Sequence, residues 1–110
     1  MNTLTAKQLK EMLDRKEDFL LINTLDEKDF AKTRIPGSIN IPQSKENFVQ
    51  RVEEEAGQKD RTIVVYCASE QCESSPKGAK KLEDAGFSNV FDFEAGAEGW
   101  RQAGQGLVVG

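Results

Sequence analysis

The stretch TIVVY, residues 62–66, is β-branched or aromatic throughout and stops at Cys67. A strand that alternates apolar and polar residues has one wet face, whereas a strand without alternation must be covered on both. That requirement is the tightest constraint in the chain. It asks for a sheet with a layer of helix on each side, and FLLIN at 19–23 repeats the request. The segments between supply the helices. Thr5 is placed to cap a helix over 6–13, with Leu9, Met12 and Leu13 at helical spacing. A short helix is expected over 26–31 and a short strand over 38–41, ending at Pro42. Residues 44–56 put Phe48, Val49 and Val52 on one helical face, with Ser44 as the cap. Residues 75–85 form a helix capped by Ser74 or Ser75, with Pro76 in its first turn and Gly86 as its stop. A strand over 90–93 and a helix over 94–103 around Trp100 complete the order. Short buried strands alternating with helices predict an α/β fold with a mainly parallel sheet, covered on both faces.

The 110 residues suit a single domain, 1–110, with one modest core. A net charge of −4 argues against nucleic acid or an anionic membrane surface as the main partner. Glu53, Glu54 and Glu55 read as a solvated acidic face. No apolar run approaches membrane-spanning length, and the N-terminus lacks the apolar region of a secretory signal. A cytoplasmic, reducing compartment is therefore expected for two cysteines. The sequence contains no histidine. That removes Ser-His-Asp and Cys-His catalysis and any histidine metal site. Two cysteines alone are a poor zinc set, so neither a metal nor an organic cofactor is expected. Gly96, Gly99, Gly104 and Gly106 lack dinucleotide-binding spacing after a strand and read as turn glycines.

Cys67 occupies the place where parallel α/β sheets bind ligands, beyond the carboxyl end of a strand. The loop after it, Ala68, Ser69, Glu70, Gln71, Cys72, Glu73, Ser74 and Ser75, feeds a helix N-terminus. Backbone N–H groups and the positive end of the helix dipole favour a thiolate there, without a histidine base. The competing reading is a buried structural cysteine, since free cysteine is among the most buried residue types.

Three segments give the chain a family resemblance. RIPGSINIP (34–42), IVVYCAS (63–69) and AGFSNVFDFEAGAEGW (85–100) resemble, in order, three stretches of the rhodanese-like sulfurtransferases. The resemblance implies a five-stranded parallel sheet flanked by helices, with Cys67 accepting a sulfane sulfur as a persulfide and passing it to a thiol. Ala68 stands where the family commonly has arginine, Arg34 replaces a usual histidine, and Asn23-Thr24-Leu25 replaces an Asp-x-Arg. The spacing from Cys67 to Gly86 is also longer than usual. Phosphatases of this fold use Cys-x5-Arg to clamp phosphate, and the residue at that spacing here is Glu73, which argues against phosphoryl chemistry.

Thiosulfate is a dianion, and Glu70 and Glu73 in the loop would repel it by about 1 kcal/mol per pair in a wet site. Weak thiosulfate activity is expected, with a polysulfide or low-molecular-weight persulfide preferred as donor, unless loop amides, Arg34 or Lys77 compensate. Solvent screening of both glutamates is the alternative. Cys72 is a candidate resolving thiol if the loop brings its α-carbon within ~7 Å of that of Cys67; otherwise it fills space. Ser69, Ser74 and Ser75 can donate to an anionic sulfur, while Tyr66 and Trp100 read as packing. Three functions remain open: a sulfurtransferase or persulfide carrier with a thiol acceptor, small or protein-borne; a catalytically weak protein-binding or sensor module; and a Cys67/Cys72 dithiol redox protein.

Overall fold

A computed structural model describes residues 2–110. Seven strands and five helices follow in the order β1 (Asn2–Thr3), α1 (Ala6–Asp14), β2 (Phe19–Asn23), α2 (Glu27–Lys32), β3 (Thr33–Arg34), β4 (Ile39–Asn40), α3 (Phe48–Ala56), β5 (Thr62–Tyr66), α4 (Ser74–Asp84), β6 (Val90–Phe93), α5 (Gly96–Gln102) and β7 (Val108–Val109). Five strands form one parallel sheet in the order β1-β6-β5-β2-β4. This is the expected α/β architecture, and β2, β5 and β6 fall on the residues expected of them. Strands β3 and β7 make a separate antiparallel pair.

Side chains alternate across β5 and divide the core. Ile63 and Val65 face α3 and α4, meeting Phe48, Val52, Ala79 and Leu82. Val64 and Tyr66 face α1 and α5, meeting Leu9, Ala97 and Trp100. Each large apolar side chain hidden this way contributes roughly 1.5–3 kcal/mol. Trp100 is buried, lies edge-on to Phe93 at 6.2 Å and donates its indole N–H to the Gly106 carbonyl at 3.1 Å. Among the described residues no helix is long and apolar enough to cross a membrane.

Several boundaries differ from expectation for local reasons. Thr5 caps α1 in a reciprocal pair with Gln8, as its spacing implies. The helix expected from Ser44 begins only at Phe48, because a turn intervenes, with Lys45 N–H on Pro42 O (3.4 Å) and Phe48 N–H on Lys45 O (3.1 Å). Ser44 caps nothing and donates to Asp26 Oδ1 at 3.3 Å. Neither Ser74 nor Ser75 caps α4: Glu73 holds the cap position without a side-chain bond, and Ser74 is the first helical residue. Both serine hydroxyls turn to tertiary partners instead. The last helix starts at Gly96 rather than Glu94, because the chain first makes a tight turn under the Cys67 loop.

Candidate active site

Cys67 follows the last residue of β5 and is 1% exposed. Strand alternation puts its side chain on the α4 side, beside Val65. The first turn of α5 supports its backbone: Ala97 N–H bonds Cys67 O at 2.9 Å, and Glu98 N–H bonds Ala68 O at 2.9 Å. Only glycine fits at 96, since φ is +66° and a Cβ there would lie 2.5 Å from Cys67 O.

The first turn of α4 closes the other side. Ser74 donates to Thr24 O at 3.0 Å and pairs with Thr24 Oγ1 at 3.0 Å, tying the loop to the end of β2. Ser75, 1% exposed, places its hydroxyl 3.5 Å from Cys67 Sγ. Pro76 lacks an N–H and Lys77 N–H already bonds Glu73 O. The positive end of the helix therefore acts at Cys67 chiefly through the amides of Ser74 and Ser75.

Cys72 is joined to Cys67 by a disulfide, with the α-carbons 6.4 Å apart. A turn within the loop, Cys72 N–H on Ser69 O at 3.1 Å, folds the second cysteine back over the first. The loop thus meets the distance condition for a resolving thiol.

Ala68, Glu70, Gln71 and Glu73 are exposed and Ser69 is half-buried. Glu73 forms a 3.9 Å ion pair with Lys77, and their side chains are 83% and 62% exposed. Charges so open to water are strongly screened, which favours the solvated reading of the loop glutamates. Arg34 donates to the carbonyls of Phe30 and Ala31, each at 3.3 Å, and lies 5.2 Å over the Phe30 ring. Its guanidinium is thus committed to the end of α2. A groove of about 510 Å³ opens beside Ala68, with Asn23, Lys32, Glu98 and Arg101 among its walls. Arg101 hydrogen-bonds Glu98 and holds that carboxyl below its usual range.

The family profile for the rhodanese-like domain matches residues 5–103. The chain belongs to the rhodanese-like family. The Escherichia coli K12 protein YibN is 37% identical over 100 residues, which are 88% of this chain; the chain spans 64% of YibN's length. A thiosulfate sulfurtransferase from Pseudomonas aeruginosa superposes with a TM-score of 0.90 at 28% identity, covering all of this chain and 20% of that one. A rhodanese-related protein from Thermoplasma volcanium superposes over the full length of both chains, with a TM-score of 0.76 at 23% identity.

On this rhodanese-like frame the structure adds two residues that sequence reasoning passed over. Thr24, 2% exposed, anchors the loop; nothing in its local sequence signals that role. Asp92 is fully buried in β6, and neither carboxylate oxygen has a hydrogen-bond partner. Its signal was visible: a lone charged residue inside the apolar run VFDF.

Proposed function

We propose that this protein is a rhodanese-type sulfurtransferase or persulfide carrier that works through Cys67, with Cys72 as its resolving thiol. The observation that carries the reading is the placement of a buried Cys67 at the end of β5, facing the first turn of α4 and within bonding reach of Cys72. Membership of a family that includes sulfurtransferases supports the chemistry.

The Cys67 thiolate attacks the outer sulfur of a persulfide or polysulfide donor, and the donor leaves as a thiolate. Cys67 then carries a persulfide anion, which the α4 amides and the helix dipole stabilise. An acceptor thiolate attacks the outer sulfur, takes it away as a new persulfide and regenerates the Cys67 thiolate. Without an acceptor, the Cys72 thiolate attacks Cys67 Sγ. The outer sulfur takes a proton from water, the Cys67–Cys72 disulfide closes and hydrosulfide (HS⁻) leaves. Two equivalents of a small thiol reopen it. The acceptor is a thiol, small or protein-borne. Exposure of Glu70 and Glu73 limits their repulsion of thiosulfate to about 1 kcal/mol or less, so persulfide donors are preferred by a modest factor.

The same disulfide favours a second reading, a dithiol redox protein. Sulfide release from glutathione persulfide, followed with and without a thiol acceptor, separates the two. A carrier turns over many equivalents of donor sulfur, and Cys72→Ser keeps transfer to the acceptor. A redox protein loses all turnover in Cys72→Ser, and that result would reject the carrier.

A further inference from the structure

We propose that Asp92, acting through Ser75, holds the proton that the Cys67 sulfur takes up and gives back. The inference rests on Cys67 being the reacting sulfur and adds where its proton goes.

Asp92 pairs with Val65 of β5 in the sheet register, so its side chain lies on the α4 face, one strand over from Cys67. It is 0% exposed and both oxygens are unpartnered. An unsatisfied buried carboxyl is costly, most of all when charged, and such a group in a native fold calls for an explanation. Its surroundings narrow the choice. The residues that α4 buries are Ser75, Gly78, Ala79 and Leu82, none of them ionisable. On the other side, β1 presents Thr3 as the register partner. Glu94, exposed and just past the end of β6, is the charged group that acts on Asp92. Burial pushes the Asp92 carboxyl above the ordinary aspartate value; the Ser75 hydroxyl draws it down, and the Glu94 charge raises it again. The Ser75 hydroxyl is near enough to favour the charged form but does not close a hydrogen bond of normal geometry. The same hydroxyl lies 3.5 Å from Cys67 Sγ. One buried hydroxyl therefore stands between a buried acid and the sulfur, in a chain with no histidine.

When a small thiolate attacks Cys72 Sγ, the Cys67–Cys72 bond breaks and its electron pair passes to Cys67 Sγ. The Asp92 proton moves to Ser75 Oγ as the Ser75 proton moves to the sulfur, leaving a Cys67 thiol and an Asp92 carboxylate. A second thiolate releases Cys72 from the mixed disulfide, so two small thiols become one small disulfide. In the opposite sense, the carboxylate takes the proton back through Ser75 and frees the Cys67 thiolate for attack on a sulfane sulfur. Asp92 is thus a positioning residue that never touches the reacting sulfur.

The test is the pH dependence of Cys67 alkylation by iodoacetamide in Cys72→Ser protein. Alkylation needs no sulfur donor, so this result stands apart from whether sulfur transfer occurs. Coupled groups titrate as a pair, so two steps are expected. Asp92→Asn should lose the lower step, Ser75→Ala should collapse the profile to one step, and Glu94→Gln should keep both with the lower moved toward acid. A single step in the parent, or the same two steps in Asp92→Asn, overturns the proposal. Carbon-13 NMR of the Asp92 carboxyl in the unsubstituted protein guards against folding effects. Its midpoint should move on reduction of the disulfide, and an unmoved midpoint also overturns the idea.

Discussion

Two polar side chains are buried near the carboxyl ends of neighbouring strands, on opposite faces of the sheet, and they are treated differently. Tyr66 of β5 faces α1 and α5. Its hydroxyl accepts from Ile35 N–H at 3.0 Å and is 2.8 Å from Ser38 Oγ, while Ser38 Oγ donates to Ile35 O at 2.7 Å. Read with the Tyr66 hydroxyl donating to Ser38, the three bonds close a ring and leave nothing unsatisfied. Asp92 of β6 faces α4, where neither oxygen finds a partner. A satisfied buried group fixes a structure: the ring pins the turn that carries Ile35, Pro36, Gly37 and Ser38. An unsatisfied one keeps its bonding capacity available, and it sits on the same face as Cys67 and Ser75.

The largest effect should come from breaking a support that both faces share. Gly96→Ala places a Cβ against Cys67 O at positive φ, at the first residue of α5. It should cost roughly 3 kcal/mol of stability and disturb the Cys67 loop, as read by urea unfolding and by sulfur transfer together. Next is Tyr66→Phe, which opens the ring and strands the buried Ile35 N–H. A loss of about 1–3 kcal/mol is expected in the urea midpoint, with the pH profile of Cys67 alkylation unchanged.

Asp92→Asn should have the opposite sign. Because burial raises the Asp92 carboxyl, the folded protein holds a proton that the unfolded chain has already released. The stability this contributes is complete below the unfolded value of 3.8 and is lost as pH rises through the folded value. The variant should therefore be more stable than the parent at neutral pH, and the gap should close toward acid. Thermal unfolding at a series of pH values checks this; a gap that widened on acidification would contradict it. The smallest effect belongs to the exposed loop. Removing both glutamates, as Glu70→Gln with Glu73→Gln, should raise thiosulfate turnover only about twofold at low salt, and not at all at high salt.

The satisfied region was the more legible of the two in sequence. FLLIN and TIVVY announce strands covered on both faces because no polar residue interrupts the inward positions, and RIPGS marks its turn with proline and glycine. The start of α3 was hidden because Ser44 resembles a cap, while the turn through Lys45 delays the helix to Phe48. The β3–β7 pair escaped because each strand is two residues long and the partners are far apart in sequence, so no local pattern encodes them. At the site, the place of Cys67 at a strand end, facing a loop and a helix N-terminus, was readable. The approach of Cys72 was not, since loop geometry sets it. Asp92 was missed for another reason. Val90, Phe91 and Phe93 read as a strand whatever stands between them, and only tertiary packing shows that the charge is buried without a partner.

The central claim, that Cys67 carries sulfur, is tested most directly by intact-protein mass spectrometry of the reduced chain. The protein would be incubated with glutathione persulfide, with polysulfide and with thiosulfate, beside Cys67→Ser and Cys72→Ser. One added sulfur atom in Cys72→Ser, absent from Cys67→Ser and strongest with the persulfide donors, is the predicted result. No added sulfur from any donor, with Cys67 still open to alkylation, would contradict the account and leave a rhodanese-like fold whose cysteines serve redox or binding alone.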